Sequence, residues 1–191
     1  AAAILFLTCF TAAQTQWKNP RLWLCILIAC LGLIPIVWFN VSNQLSSASF
    51  YFVDRHPWEF QASGLLHLFK QAGLVTPGLY LLFVYTIVLM YQKANLGDRS
   101  AALLLSFSLV NVLVYLLLAP WTDATSTSIH WPLSGYFPLL IYVPFALRST
   151  ARLLGAYFTA PTAHRLVIAI PVIGFLGTLT ALFGVGSQAF Q

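Results

Sequence analysis

The sequence predicts an all-α fold, a polytopic membrane helix bundle with about five full spans and a truncated first one. Three observations predict it. Of 191 residues, 60% are hydrophobic and only 7% are charged, where a soluble domain carries roughly a quarter charged residues. The apolar residues fall into long runs, several of them near the roughly 20 residues that cross a bilayer. The nine Lys and Arg are rich in every second polar connection. Such a chain cannot dress a water-facing surface of its own size, so a soluble globular protein is excluded. Disorder is excluded by the apolar content. The net charge of +5 is scattered instead of clustered, so nucleic acid is not an expected partner.

The first apolar run, 1–13, is too short to span. It starts without a methionine or a basic leader, and the chain is expected to be the C-terminal portion of a longer protein, forming one transmembrane domain over 1–191. Gln14 to Arg21 is a short polar connection. The second span is Leu22 to Phe39, with Pro35 near its end. The longest polar segment, 40–71, follows; within it 62–72 reads as a short amphipathic stretch suited to the membrane surface. The third span is Leu74 to Tyr91, with Pro77 in its first turn, where proline is tolerated. After the connection 92–100 comes the fourth span, Ala101 to Ala119. The loop 120–134 carries no Lys or Arg. The fifth span, Gly135 to Leu147, is short and holds Pro138 and Pro144, which predicts a kinked or re-entrant helix. The connection 148–165 leads to the last span, Leu166 to Val185, where Gly174 and Gly177 permit close helix approach.

Charge sets the orientation. Connections 14–21, 92–100 and 148–165 hold seven of the nine Lys and Arg and are expected to be cytoplasmic. Loops 40–71 and 120–134 hold only Arg55 and Lys70 and face outward. Three of the four acids, Asp54, Glu59 and Asp123, lie on that outer side. Cys9, Cys25 and Cys30 sit in apolar runs at spacings that fit neither a zinc site nor a redox pair, and read as small buried hydrophobes. No metal-ligand spacing, phosphate loop or nucleophile elbow occurs. No intramembrane carboxylate marks a proton pathway, which argues against a proton-coupled transporter.

Two outer segments can carry chemistry. Phe50 to Phe60 sets Asp54, Arg55, His56 and Glu59 among aromatics. This mixture suits the headgroup layer, and the planar fork of Arg55 suits a lipid phosphate; the same residues also read as surface pairs within an aromatic belt. In Ser128 to Tyr136, His130 stands at the mouth of a span beside Trp131 and Pro132, where it can donate to a phosphate, carry a proton, or simply bond the backbone. Asn111 and Tyr115, one turn apart in the fourth span, read as helix–helix contacts.

Pro35-Ile36-Val37-Trp38-Phe39-Asn40, Asn43, Ser49-Phe50, Arg55, Pro77, and His130-Trp131-Pro132 with Tyr136 follow a recognisable pattern. Over roughly Asn19 to Arg148 the chain resembles the later membrane half of polyprenol-phosphate-sugar glycosyltransferases. These are integral-membrane enzymes of the C-type fold, related to protein O-mannosyltransferases and to the aminoarabinose transferase of lipid A. The resemblance implies transfer of a sugar from a polyprenyl-phosphate donor to a lipid, glycan or protein on the outer face of a membrane, the bacterial inner membrane by analogy. It implies a catalytic acid in an earlier outer loop, so no catalytic residue is expected within this sequence. On the donor side it implies Arg55, His130, Trp131 and Tyr136 as phosphate- and sugar-binding residues. No metal and no cofactor beyond the lipid-linked substrate is expected; membrane lipids are the surroundings. The alternative is a non-catalytic subunit of a larger respiratory or photosynthetic membrane complex, derived from the same fold.

Overall fold

The computed structural model describes residues 5–6, 9–54, 58–122 and 131–186, and the regular structure among them is helical throughout. Short turns of helix, Thr11–Gln14 and Thr15–Lys18, lead to α1 (Pro20–Leu31) and α2 (Ile34–Ser42). α1 starts where the Asn19 side chain accepts from the Arg21 N–H at 3.0 Å and Pro20 occupies the first turn, the arrangement that favours a helix start. The helix yields to α2 at Gly32–Leu33 because Pro35 has no N–H to bond the Leu31 carbonyl. Together they give an apolar stretch of 23 residues, Pro20–Ser42, none of whose most apolar window is buried against the rest of the chain. Cys25 and Cys30 therefore lie exposed on it, and Cys9 is exposed as well. The expectation of buried cysteines is corrected: a stretch that does not pack against the rest of the chain has no interior to hide Cys25 and Cys30 in.

The helices Ala62–Leu66 and α3 (His67–Val75) precede α4 (Pro77–Asn95), bent against it by 110°. The expected start of the third span at Leu74 is thus displaced to Pro77. A residue before proline is disfavoured in the α region, so the helix breaks at Thr76. Its φ of 68° and ψ of 139° lie in a region that β-branched residues rarely adopt. α5 (Arg99–Leu118) is capped by Asp98, whose carboxylate accepts from the Ala101 N–H at 3.0 Å. Its 20 residues rise about 30 Å, the thickness of the hydrocarbon core.

The short fifth span is a bent pair, as its two prolines predict. α6 (Leu133–Leu140) and α7 (Val143–Leu154) meet at 71°. Pro144 denies the Leu140 carbonyl its partner and crowds it, which breaks the helix at Ile141–Tyr142. α8 (Ala160–Gly186) runs through Pro171 without a break and begins six residues earlier than the apolar run. Three stretches are long and apolar enough to cross a membrane, Pro20–Ser42, Arg99–Trp121 and Ala160–Thr180, or up to five if each bent pair is one span. The chain is an α-helical membrane protein.

The bundle is built on α5, which packs most extensively against α6 and next against α4. Small residues let these helices approach: Ala94, Ala101 and Ala102 join Phe83, Met90, Leu105 and Leu139 in one buried cluster, which Phe10 enters from the N-terminal segment. A Cβ on Gly135 would stand 2.8 Å from the Ser108 carbonyl oxygen, so α5 and α6 approach backbone to backbone there. Gly174 and Gly177 accept Thr76 and Leu79 against α8, as their spacing predicts.

Candidate functional site

Loops 40–71 and 120–134 are expected on one side of the membrane, and the packing of their ends joins them. The Gln61 N–H donates to the Pro120 carbonyl at 2.7 Å, and the Phe60 and Trp121 rings meet edge to face at 5.7 Å. Gly64 lies so close to the backbone of Ala119 and Pro120 that no side chain fits between them. Beneath this roof, α3 crosses the end of the bundle. Its apolar side chains Leu65, Leu66 and Phe69 from the adjoining turns are exposed, whereas His67 and Gln71 are buried, at 4% and 3% exposure. The polarity is the reverse of that on a water-facing amphipathic helix. The stretch is amphipathic, with its polar pair turned toward the bundle and its apolar side chains turned away from it.

His67 and Gln71 are one helical turn apart, the spacing that brings two side chains together. The Gln71 amide nitrogen lies 3.3 Å from His67 Nε2. From α6, the Tyr136 hydroxyl donates to Gln71 Oε1 at 3.0 Å, and the Tyr136 ring stacks on Phe83 with centroids 5.0 Å apart. The three polar groups and Tyr80 open onto a small cleft closed by Val112, Leu116 and Pro132. The cleft is small, with room for about one water-sized group. Burial, reinforced by the charge of Lys70, pushes the His67 pKa below its ordinary value, so the imidazole is neutral near pH 7. Its Nδ1 is buried with no hydrogen-bond partner.

Of the four residues implied by the resemblance, Tyr136 is in this cleft. Trp131 stands at the same end, tilted against Tyr115 of α5 with ring centroids 5.2 Å apart. Arg55 and His130 lie outside the described residues, as does Asp123. Asn111 lies against Gly135 at the α5–α6 contact, but its amide donates to the Phe107 carbonyl of its own helix at 2.9 Å and, among the described residues, does not bond another helix. Sequence reasoning missed His67 and Gln71. Their signal was a polar pair at i and i+4 inside an apolar stretch, which can face either way until the partner helices are known.

A second polar cluster lies at the opposite end of α5. The Tyr142 hydroxyl donates to Asp98 Oδ2 at 3.1 Å. The Lys93 ammonium sits 4.7 Å from the Phe145 ring centroid and 5.6 Å from that of Tyr142. The Asp98 carboxyl is held below the usual carboxylate range by the Ala101 N–H first, then by Tyr142, Ser100 and Lys93, against the opposing effect of burial. These contacts tie the connection 92–100 to the break between α6 and α7 and need no ligand. Among the described residues no three His, Cys, Asp or Glu converge as a metal site. Compared with protein families, with curated proteins and with solved structures, the chain matches none.

Proposed function

We propose that this chain is the membrane part of a glycosyltransferase that moves a sugar from a polyprenyl-phosphate donor to a lipid, glycan or protein acceptor on the outer face. The observation that carries the reading is the buried Tyr136–Gln71–His67 chain of polar groups at the end of the bundle where the cation-poor loops meet. Side chains of this kind in an apolar bundle are costly and mark a site. A glycosyl transfer with a phosphate leaving group needs fixed donors at a dry place to hold the developing charge. Arg55 and His130, supplied by the same two loops, are the proposed phosphate contacts, with Trp131 and Tyr136 beside the sugar. The acceptor is activated by a carboxylate outside this sequence acting as base. The bacterial inner membrane is the proposed location, with connections 14–21, 92–100 and 148–165 cytoplasmic.

The test is transfer of radiolabelled sugar from a polyprenyl-phosphate donor by the full-length protein in proteoliposomes. Arg55→Ala and His130→Ala are expected to lose donor use while still inserting into the membrane. Unchanged transfer kinetics in both variants would remove them from the site. A second reading, a non-catalytic subunit of a larger respiratory or photosynthetic complex, draws on the Pro20–Ser42 span, whose apolar surface is unpacked against the rest of the chain. Absence of transfer and of donor binding, together with migration in a large complex on native gels, would favour it.

A further inference from the structure

Helix α7 starts where the hydrocarbon core ends. α5 is about as long as that core is thick, and two contacts pin the start of α7 to the capped start of α5. The Tyr142 hydroxyl donates to the capping carboxylate of Asp98. The Lys93 ammonium, from the last turn of α4, lies over the Phe145 ring. The 71° bend then turns α7 away from the direction of α6, and the two faces of α7 differ. Ala146 is fully buried and Thr150, one turn on, is half-buried. Beside them the Ser149 hydroxyl lies 2.7 Å from that of Tyr85 of α4. That face belongs to the bundle. Phe145, Arg148 and Arg152 recur at the three- and four-residue spacing that lines one side of a helix, and all three are exposed. Phe145 keeps its place on that side between Lys93 and the Tyr142 ring, whose centroid is 5.6 Å away.

Charge decides what covers this face. Two guanidinium groups one turn apart repel each other. Neither Arg148 nor Arg152 pairs with a carboxylate among the described residues. The connections 92–100 and 148–165 hold five Lys and Arg against one acid, Asp98, and that carboxylate already accepts from the Ala101 N–H and from Tyr142. An anion beside the two arginines relieves their repulsion, and the planar guanidinium fork matches the oxygens of a phosphate. The aromatic neighbours favour lipid as its source. Phe145, and Tyr157 and Phe158 just beyond α7, are exposed, and rings among cations are the side chains of a lipid–water boundary. We propose that the Phe145–Arg148–Arg152 face of α7, with Lys93 beside it, binds the phosphate headgroups of anionic phospholipids at this end of the bundle. The site needs no lipid-linked sugar and stands independently of the transferase reading.

The experiment is native mass spectrometry of the full-length protein released from detergent micelles. The probes are phosphatidylglycerol and phosphatidylcholine with the same acyl chains, with inorganic phosphate and poly-glutamate as competitors at matched concentration. Phosphatidylglycerol should be retained in preference to phosphatidylcholine, and neither competitor should displace it. Arg148→Gln combined with Arg152→Gln should weaken phosphatidylglycerol about 10- to 30-fold, roughly fivefold per cation, with phosphatidylcholine unchanged. Lys18→Gln combined with Arg21→Gln removes the same charge elsewhere and should leave phosphatidylglycerol binding unchanged. A second readout needs no variant: in nanodiscs, phenylglyoxal should modify Arg148 and Arg152 more slowly in phosphatidylglycerol than in phosphatidylcholine. Equal modification rates in the two lipids, or equal losses of phosphatidylglycerol in the two double variants, would overturn the proposal. Displacement by inorganic phosphate would make this a free-anion site, and displacement by poly-glutamate a dock for an acidic protein segment; either result also overturns it.

Discussion

The Tyr136 hydroxyl reaches Gln71 Oε1 at 3.0 Å across 65 positions of sequence, and this one bond ties the helix that roofs the bundle to the helix that enters it. On the far side of the same amide lies His67. Removing the Tyr136 hydroxyl alone would leave the ring on Phe83 and strip the amide oxygen of this donor. Tyr136→Phe is therefore expected to cost about 1–3 kcal/mol, read as a lower midpoint of thermal unfolding in detergent micelles. Tyr136→Ala should cost more, because it also opens a cavity beside Phe83. Equal losses would show that the hydrogen bond and not the ring matters.

Stability should fall as the solution is acidified through the range where unfolded histidine titrates. His67 is faced by Lys70 on its own helix, by Tyr80 of α4 and by Tyr136 of α6; α5 contributes only Val112 and Leu116, among the described residues. Its folded pKa lies below the ordinary 6.5, so below that pH the unfolded chain binds a proton that the folded chain refuses. The contribution of His67 is complete above about pH 6.5 and is lost as pH falls toward the folded value. His67→Gln should flatten the unfolding midpoint between pH 7.5 and 5 (roughly the titration range of histidine). An unaltered slope in the variant would assign the effect elsewhere.

At the opposite end, Asp98→Ala is expected to destabilise by about 1 kcal/mol through the lost cap, with a further loss from the stranded Tyr142 hydroxyl. Asp98→Asn should retain most of the stability, because asparagine caps about as well. Chemical unfolding of the two variants side by side checks the ranking. Because the Asp98 carboxyl titrates below its ordinary 3.8 in the folded chain, its charge contributes above that pH and is lost only in stronger acid.

Two glycines act through space alone. Gly135→Ala would push a methyl within 2.8 Å of the Ser108 carbonyl and Val112 Cγ2, a backbone contact that cannot swing aside. A cost of about 1–3 kcal/mol is expected. Gly64→Ala would drive into Ala119 and Pro120 and should lift the roof off the cleft. Protease sensitivity of segment 60–66 in the variant, compared with the parent, reports it. Gly73→Ala, which meets nothing within 4 Å, is the control and should leave stability unchanged or slightly improved.

The sequence by itself determined the membrane class, the all-helical architecture and the bend of the fifth span at its prolines. These follow from local chemistry: apolar run length, backbone hydrogen bonding without water, and the missing proline N–H act over a few residues. It brought Trp131 and Tyr136 forward, and the two lie at one end of the bundle. Only the tertiary structure decided that His67 and Gln71 point inward while Leu65, Leu66 and Phe69 point outward. Helical periodicity defines two faces but does not say which one meets lipid. That choice depended on α3 folding back by 110° at Thr76 to meet Tyr136, a residue brought near by packing around α5 and not by any spacing in the chain.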